Sequence, residues 1–409
     1  MSYGSCRFCG STLQHVAADL GMSPLANSYL SQDQLGLMEP FYPLRALVCG
    51  RCFLVQLEEH ESPAHIFTDY AYFSSYSTSW LAHAEEYVDA MVHRRGLTSH
   101  SMVVEVGSND GYLLQYFKAR GVPVHGIEPA TNVAEAARRK GIPTLSTFFG
   151  SKTASELSRE LEADLLIGNN VLAHVPDLND FVLGLKMLLK PDGIITMEFP
   201  HLLRLLDERQ FDTIYHEHFS YFSFSTVREV FAAHGLKIFD VEEIRTHGGS
   251  LRIYAAHANA QQPESERAEG LAKAERCRGL SSLERYLSFS EEVRAEKRAI
   301  LRSFISWKEA GLSIVGYGAP AKGNTLLNHC GIGTDFIDFT VDRNPAKQGH
   351  FLPGSHIPIR DVAAISQHRP DLVIILPWNL RDEVMEQLSF IAEWGGRLVA
   401  RTPELVVLE

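Results

Sequence analysis

Tyr215-His216-Glu217-His218 places four titratable or hydrogen-bonding side chains in consecutive positions. Such a cluster suits a metal site, a general base with orienting partners, or a polar stretch of loop. The spacing argues against metal, because the two histidines of HExxH fall one helical turn apart on one face and those of HEH do not. In an extended segment His216 and His218 share a face and Glu217 takes the other. A histidine titrating near pH 6.5 accepts a proton at neutral pH, and a donor such as Tyr215 or the second histidine can steady an oxyanion. Removal of a proton beside a carbonyl needs both roles.

Cys6-x-x-Cys9 is followed, after 39 intervening residues, by Cys49-x-x-Cys52. Each pair puts two thiolates on one tight turn, and two turns supply the four tetrahedral ligands that zinc prefers, with no coordination position left open. The zinc is therefore expected to be structural. The interval is longer than in a compact ribbon, so a hairpin and a loop are expected inside it.

Two glycine-bearing loops also carry chemistry. Glu105-Val106-Gly107-Ser108-Asn109-Asp110-Gly111 closes a buried strand and opens a helix, and Glu128 ends the next strand 21 residues after Gly107. A carboxylate at that tip suits both hydroxyls of an adenosine ribose. The spacing is G-x-x-x-G rather than G-x-G-x-x-G, and Glu105 and Asp110 would repel phosphate. S-adenosylmethionine, which has a ribose and a positive charge but no phosphate, fits these residues. In the second loop Gly316, Gly318 and Ala321 match a G-x-G-x-x-A dinucleotide fingerprint, and Asp342 lies 26 residues after Gly316. An NAD-dependent oxidoreductase of a nucleotide sugar is thus the competing reading. Against it, Lys322 follows the fingerprint directly and could grip a phosphate oxygen of a nucleotide sugar.

The elements that must position these groups alternate. MVVEVG, VPVHGIEP, ADLLIGNNVL and GIITMEF read as strands, with helices over Tyr112 to Arg120, Ala130 to Lys140 and Phe181 to Leu189, and an amphipathic helix precedes them near Leu81. This pattern predicts βαβ units and a parallel sheet covered on both faces. Pro263 to Trp307 reads as a helical connector, after which a second βα series runs through LSIVGYGAPAKGNTLL, DFIDFTVD, DLVIIL and GRLVAR. The expected organisation is α/β: an N-terminal four-cysteine zinc-binding domain (1–68), a central Rossmann-like methyltransferase domain (69–256), the connector (257–308) and a C-terminal α/β domain (309–409). With 38 Lys and Arg against 50 Asp and Glu, the net charge of −12 disfavours nucleic acid and anionic membrane as partners. No apolar run approaches a membrane span of roughly 20 residues, so a cytoplasmic location is the default.

EVGSNDG, IEP, NNVLAHVPD, YHEHFSYFS, VGYGAPAKGNTLLN and VDRNPAKQG, in this order behind the two CxxC pairs, resemble the nucleotide-sugar C-methyltransferases that make branched deoxysugars. The resemblance covers nearly the whole chain. It implies S-adenosylmethionine as cofactor, held by Glu105, Gly107, Asn109, Gly111, Glu128, Asn169 and Asn170. It favours His218 as the base, with Tyr215 and Glu217 positioning the sugar or its enolate, adds His174 from NNVLAHVPD, and leaves His216 as the first substitute. Tyr70, Tyr72 and Tyr76 of YAYFSSYSTSW, with Lys322 and Asn324, are expected at the substrate. The implied reaction is methyl transfer to C3 of a nucleotide-linked 4-keto-deoxysugar by a monomer or homodimer. A sugar O-methyltransferase, which needs a base but no enolate stabiliser, stays open at this point.

Overall fold

The computed structural model describes residues 3–62, 74–76, 78–401 and 404–408. The N-terminal strands are β1 (His15–Ser23), β2 (Tyr42–Val48) and β3 (Val55–Gln56). The central series is β4 (Val103–Val106), β5 (Val124–Ile127), β6 (Thr144–Leu145), β7 (Ala163–Asn169), β8 (Leu189–Pro200), β9 (Ser220–Tyr221), β10 (Leu236–Ile244) and β11 (Ser250–His257). The last six are β12 (Ile314–Tyr317), β13 (Thr340–Val341), β14 (Ile359–Arg360), β15 (Leu372–Ile375), β16 (Arg397–Arg401) and β17 (Leu405–Leu408). They form three sheets, in the orders β1-β2-β3-β9, β10-β11-β8-β7-β4-β5-β6 and β14-β13-β12-β15-β16-β17.

In the central sheet β4 is flanked by parallel β5 and β7, and every residue of β4 is buried, as its Val-rich run requires when helices cover both faces. The chain leaves β4 toward β5 and β6, then returns on the other side with β7. This reversal opens a crevice above the carboxyl ends of β4, β5 and β7. The sheet is mixed rather than parallel, because β11 pairs antiparallel with both β8 and β10. Only residues 245–249 join β10 to β11, too few for the crossover that a parallel pair needs. In the C-terminal sheet β17 likewise runs antiparallel to β16.

The expected hairpin between the CxxC pairs is β1–β2. Its sheet is completed by β9, which comes from the residues just after YHEH and pairs Val55 with Tyr221 and Gln56 with Ser220. The connector consists of helices Glu266–Cys277 and Leu283–Glu309, each started by a serine whose hydroxyl accepts from a backbone N–H of the first turn. The longer helix buries Tyr286, Phe289, Val293, Ile300 and Phe304 along one stripe. That stripe shares one apolar core with Leu44 of the N-terminal sheet and Ile314 of the C-terminal sheet. Among the described residues no helix is long and apolar enough to cross a membrane.

Candidate active site

The four cysteines of the two CxxC turns converge, with their sulfurs all within 4.8 Å of one another. Cys6 and Cys52 Sγ are 3.6 Å apart and Cys9 and Cys49 Sγ 3.5 Å apart. Tetrahedral zinc with Zn–S of about 2.3 Å holds its sulfurs at ~3.8 Å, so the donor set fits zinc. Gln56 Nε2 and Arg51 N donate to Cys6 and Cys49 Sγ, which supports thiolate character. Gln56 also belongs to β3, the strand that pairs with β9. The cysteine cluster and the YHEH segment are therefore joined through the adjacent strands β3 and β9 of one small sheet.

The expected cofactor residues gather at the crevice. Gly107, Asn109 and Gly111 have φ of +68°, +48° and +75°, so the loop after β4 winds through left-handed conformations that glycine and asparagine tolerate best. A side chain at Gly111 would come within 3.0 Å of Ile142. Glu128, at the tip of β5, accepts from Asn109 N at 2.9 Å and Ala130 N at 2.9 Å. Each carboxylate oxygen keeps a lone pair for a ribose hydroxyl. Glu105 is 0 % exposed, and burial beside Glu128, Asp110 and Glu198 pushes its carboxyl well above the usual range. Asn169 Nδ2 donates to Tyr112 OH at 3.3 Å, and Asn170, with φ of +54°, takes the same left-handed form after β7. These features fit S-adenosylmethionine. Glu128→Ala is expected to weaken its binding about 10- to 100-fold in isothermal titration, since a charge-assisted pair of hydrogen bonds is lost; unchanged affinity would remove Glu128 from the cofactor.

YHEH is itself a turn. His218 N donates to Tyr215 O at 2.9 Å, closing the four residues on themselves. The expectation of an extended segment is thus corrected, and with it the shared face of the two histidines. His216 points to the N-terminal sheet, where its Nε2 meets Pro43 O at 3.2 Å and its ring lies edge-on to Tyr42 and His60. It does not join His218, so its place as substitute base is not supported. Glu217, 4 % exposed, accepts from Asn27 Nδ2 at 3.1 Å. His218, 7 % exposed, is the centre of the remaining group: its Nε2 is 3.0 Å from Tyr215 OH and its ring 4.6 Å from that of His174. Burial, reinforced by His174, His247 and Lys322, drives its pKa well below 6.5, while a hydrogen bond to the Thr213 carbonyl opposes the fall. Its Nε2 faces the Tyr215 hydroxyl. His174 is held by Glu217 O at 2.6 Å, and burial lowers its pKa to about 4.

The C-terminal unit closes the group. Lys322 begins helix Ala321–Cys330, and its Nζ lies 2.7 Å from Asn379 Oδ1 and 4.7 Å from the centre of the Trp378 ring. Burial lowers its pKa to about 8. Asn324 is different: it is 1 % exposed and its Nδ2 donates to Ala26 O at 2.6 Å. It ties the N-terminal segment to this helix through that donor, while its buried Oδ1 has no partner among the described residues. Tyr70 and Tyr72 lie outside the described residues. Tyr76 falls in the short turn Ser74–Tyr76, next to Ser74, whose N–H donates to Asn109 Oδ1 at 2.9 Å. The second glycine loop is filled by protein, since a Cβ on Gly318 would sit 2.6 Å from Pro377 Cδ. Both Asp342 oxygens accept from backbone N–H groups, of Ala319 and Asn344.

Sequence reasoning missed Asp212, Trp378, Arg401 and His247. Asp212, 0 % exposed, accepts from Trp378 Nε1 at 2.6 Å and Arg401 Nη1 at 2.8 Å, which anchors the turn preceding YHEH to the C-terminal sheet. Its partners lie 166 and 189 residues away, beyond any local pattern. His247 left one signal, the Thr-His-Gly-Gly stretch between two strand-like runs.

Known proteins bear on this arrangement. Residues 6–67 match the model of a zinc binding domain, 80–241 that of a methyltransferase domain and 245–403 that of a C-methyltransferase C-terminal domain. The C-methyltransferase NovU of Streptomyces niveus is 37% identical over 403 residues, which cover 98% of this chain and 95% of NovU. A ubiquinone biosynthesis O-methyltransferase of Rhodopseudomonas palustris (strain HaA2) is 29% identical over 96 residues, 23% of this chain and 38% of that one. Among solved structures, magnesium protoporphyrin IX methyltransferase from Synechocystis PCC 6803 with bound SAH aligns with a TM-score of 0.35 at 16% identity, covering 43% of this chain and 83% of that one. The full-length match to NovU, across all three domain models, places the chain in the family of S-adenosylmethionine-dependent C-methyltransferases that carry an N-terminal four-cysteine zinc-binding domain.

Proposed function

We propose that the chain methylates C3 of a dTDP-linked 4-keto-6-deoxysugar by base-catalysed enolisation, as a step in making a branched deoxysugar. The observation that carries this reading is His218, a buried imidazole held neutral by its surroundings, with its Nε2 3.0 Å from the Tyr215 phenol. A C–H bond next to a ketone gives up its proton when a base takes it and a donor holds the oxygen that becomes negative. His218 takes the proton, and Tyr215 positions the oxygen or carries the proton onward through its hydroxyl. His174 and Glu217 brace the turn from behind through the Glu217 carbonyl and Asn27. S-adenosylmethionine, bound at the loops after β4, β5 and β7, supplies the electrophilic methyl group.

The electrostatics favour an anionic substrate. His174, His218, His247 and Lys322 each have a pKa lowered by burial, and several of them lower one another. At neutral pH the three imidazoles are uncharged, so Lys322 is the cation of this group and the partner for a diphosphate, while the imidazoles offer N–H donors to a developing enolate. Lys322, at a helix N-terminus over Trp378, is the group for the diphosphate. In the same reading residues 1–68, 69–256, 257–308 and 309–409 act as zinc, methyltransferase, connecting and sugar-holding segments.

A pH profile checks these assignments. His218 must be neutral, and its pKa is held well below 6.5, so kcat/KM is expected to stay level from neutral pH down past 6.5 and fall only as pH drops through that lowered value. Lys322 must be charged, so kcat/KM falls as pH rises through about 8. Lys322→Arg should remove this basic limb, because arginine keeps its charge. A basic limb unmoved in Lys322→Arg would assign it to another group.

The reading as a whole is tested by proton NMR of the 4-keto sugar nucleotide in deuterated buffer. Loss of the C3 proton without cofactor, and a new carbon-bound methyl with it, is the expected result. A bound sugar that neither exchanges nor gains a methyl on carbon would refute it.

A further inference from the structure

His247 stands at the tip of the β10–β11 hairpin with φ of +55°, followed by Gly248 at +92° and Gly249 at +109°. The two glycines adopt positive φ freely, so the steric cost falls on His247 alone, and such a conformation persists where neighbours hold it. The neighbours come from both sides of the cleft. Asn170 Nδ2, on the loop after β7, donates to His247 Nε2 at 2.9 Å, and the Trp80 ring meets the imidazole edge-on at 5.2 Å. From the C-terminal unit Trp378, the residue under Lys322, packs so tightly on Gly248 that a Cβ there would lie 2.3 Å from its ring. Gln210 Nε2 fixes the Gly248 carbonyl at 2.7 Å. The tip is thereby wedged between the crevice that fits the methyl donor and the Lys322–Trp378 pair, within electrostatic reach of both His218 and Lys322.

The hydrogen bond from Asn170 occupies the Nε2 lone pair and places the ring proton on Nδ1. For Nδ1–H no described residue supplies an acceptor within hydrogen-bond distance. We propose that His247 is a further catalytic residue, whose Nδ1–H donates a hydrogen bond to the substrate oxygen that becomes negative as His218 removes the adjacent carbon-bound proton. The inference rests on the enolisation reading. In the step, the C–H electron pair moves into the new C=C bond, the carbonyl π pair moves onto oxygen, the proton goes to His218, and His247 keeps its own proton throughout. Burial, with Lys322 nearby, lowers the His247 pKa to about 4, so the ring is neutral at pH 7 and donates as an imidazole.

The test is solvent-deuterium exchange at C3 of a dTDP-4-keto-6-deoxysugar, without cofactor, in wild type, His247→Ala and His247→Asn. Asparagine tolerates the left-handed backbone and keeps an N–H close to the Nδ1 position. Alanine is expected to slow exchange about 100-fold, the usual effect of losing one oxyanion donor, with asparagine recovering most of the loss. S-adenosylmethionine affinity and melting temperature, measured in parallel, should stay within error for the asparagine variant. Exchange in His247→Ala within about threefold of wild type would overturn the proposal. So would an asparagine variant as slow as alanine, or a loss matched by an equal loss of cofactor affinity. Absence of exchange in wild type would overturn the enolisation reading itself and the role of His247 with it.

Discussion

Stripping the zinc, or replacing Cys49 by Ser, is expected to unfold residues 3–62 and to abolish methyl transfer. The first effect follows from size: a segment this small builds little core of its own, and a four-cysteine zinc site contributes on the order of 10 kcal/mol or more to folding. The second follows from where the sheet ends. Its fourth strand is β9, so Val55 and Gln56 hold Tyr221 and Ser220, and Leu57 N donates to Phe219 O at 3.1 Å. Thr226 Oγ1 donates to Cys52 O, and Asn27 from the same unit holds Glu217. Without these ties the turn that presents His218 loses its support on one side. The cofactor loops after β4, β5 and β7 lie in a different sheet, so S-adenosylmethionine binding should persist. Metal analysis, limited proteolysis, cofactor titration and activity on one preparation decide the matter. Zinc-free protein with near-normal activity would show that the metal module is dispensable for the site.

His218→Gln is expected to abolish proton abstraction while leaving the fold intact. Glutamine keeps a polar group of similar reach but takes up no proton at neutral pH, and general-base catalysis by a positioned side chain is worth 10²- to 10⁴-fold. Exchange at C3 should therefore fall by about three orders of magnitude, with cofactor affinity little changed because His218 meets the loop after β7 only through the ring of His174, beyond Asn169 and Asn170. His216→Gln is the control. Its ring lies against Tyr42 and His60 and not against His218, so activity should drop at most a few-fold, mainly through stability. The reverse pattern, with His216→Gln inactive and His218→Gln active, would move the base and overturn the reading of the turn.

Local patterns carried much of this protein in the sequence. The two CxxC pairs announced the metal site because a ligand set needs only residue type and spacing, and the fold brought all four sulfurs together. The strands around Val103, Val124 and Ala163 were legible because buried parallel strands are continuous apolar runs, and the glycine loop with Glu128 one strand later marks the carboxyl edge where ligands sit. The order of motifs along the chain carried the family.

What the tertiary structure decided has a common physical reason: it depends on contacts between residues far apart in the chain. YHEH is a turn because its own backbone closes on Tyr215 O and because Pro43 and Asn27 take the side chains of His216 and Glu217. No period-two reading of four residues contains those partners. Asn324 beside a glycine loop reads as a ligand group, and only the fold shows that Ala26, 298 residues earlier, takes its Nδ2. The depressed pKa values of His218 and Lys322 arise from burial where three sheets meet, which composition does not encode. Sequence determined which chemical groups are present and which local elements carry them; packing of the zinc sheet, the crevice and the C-terminal unit against one another determined which of those groups face one cleft.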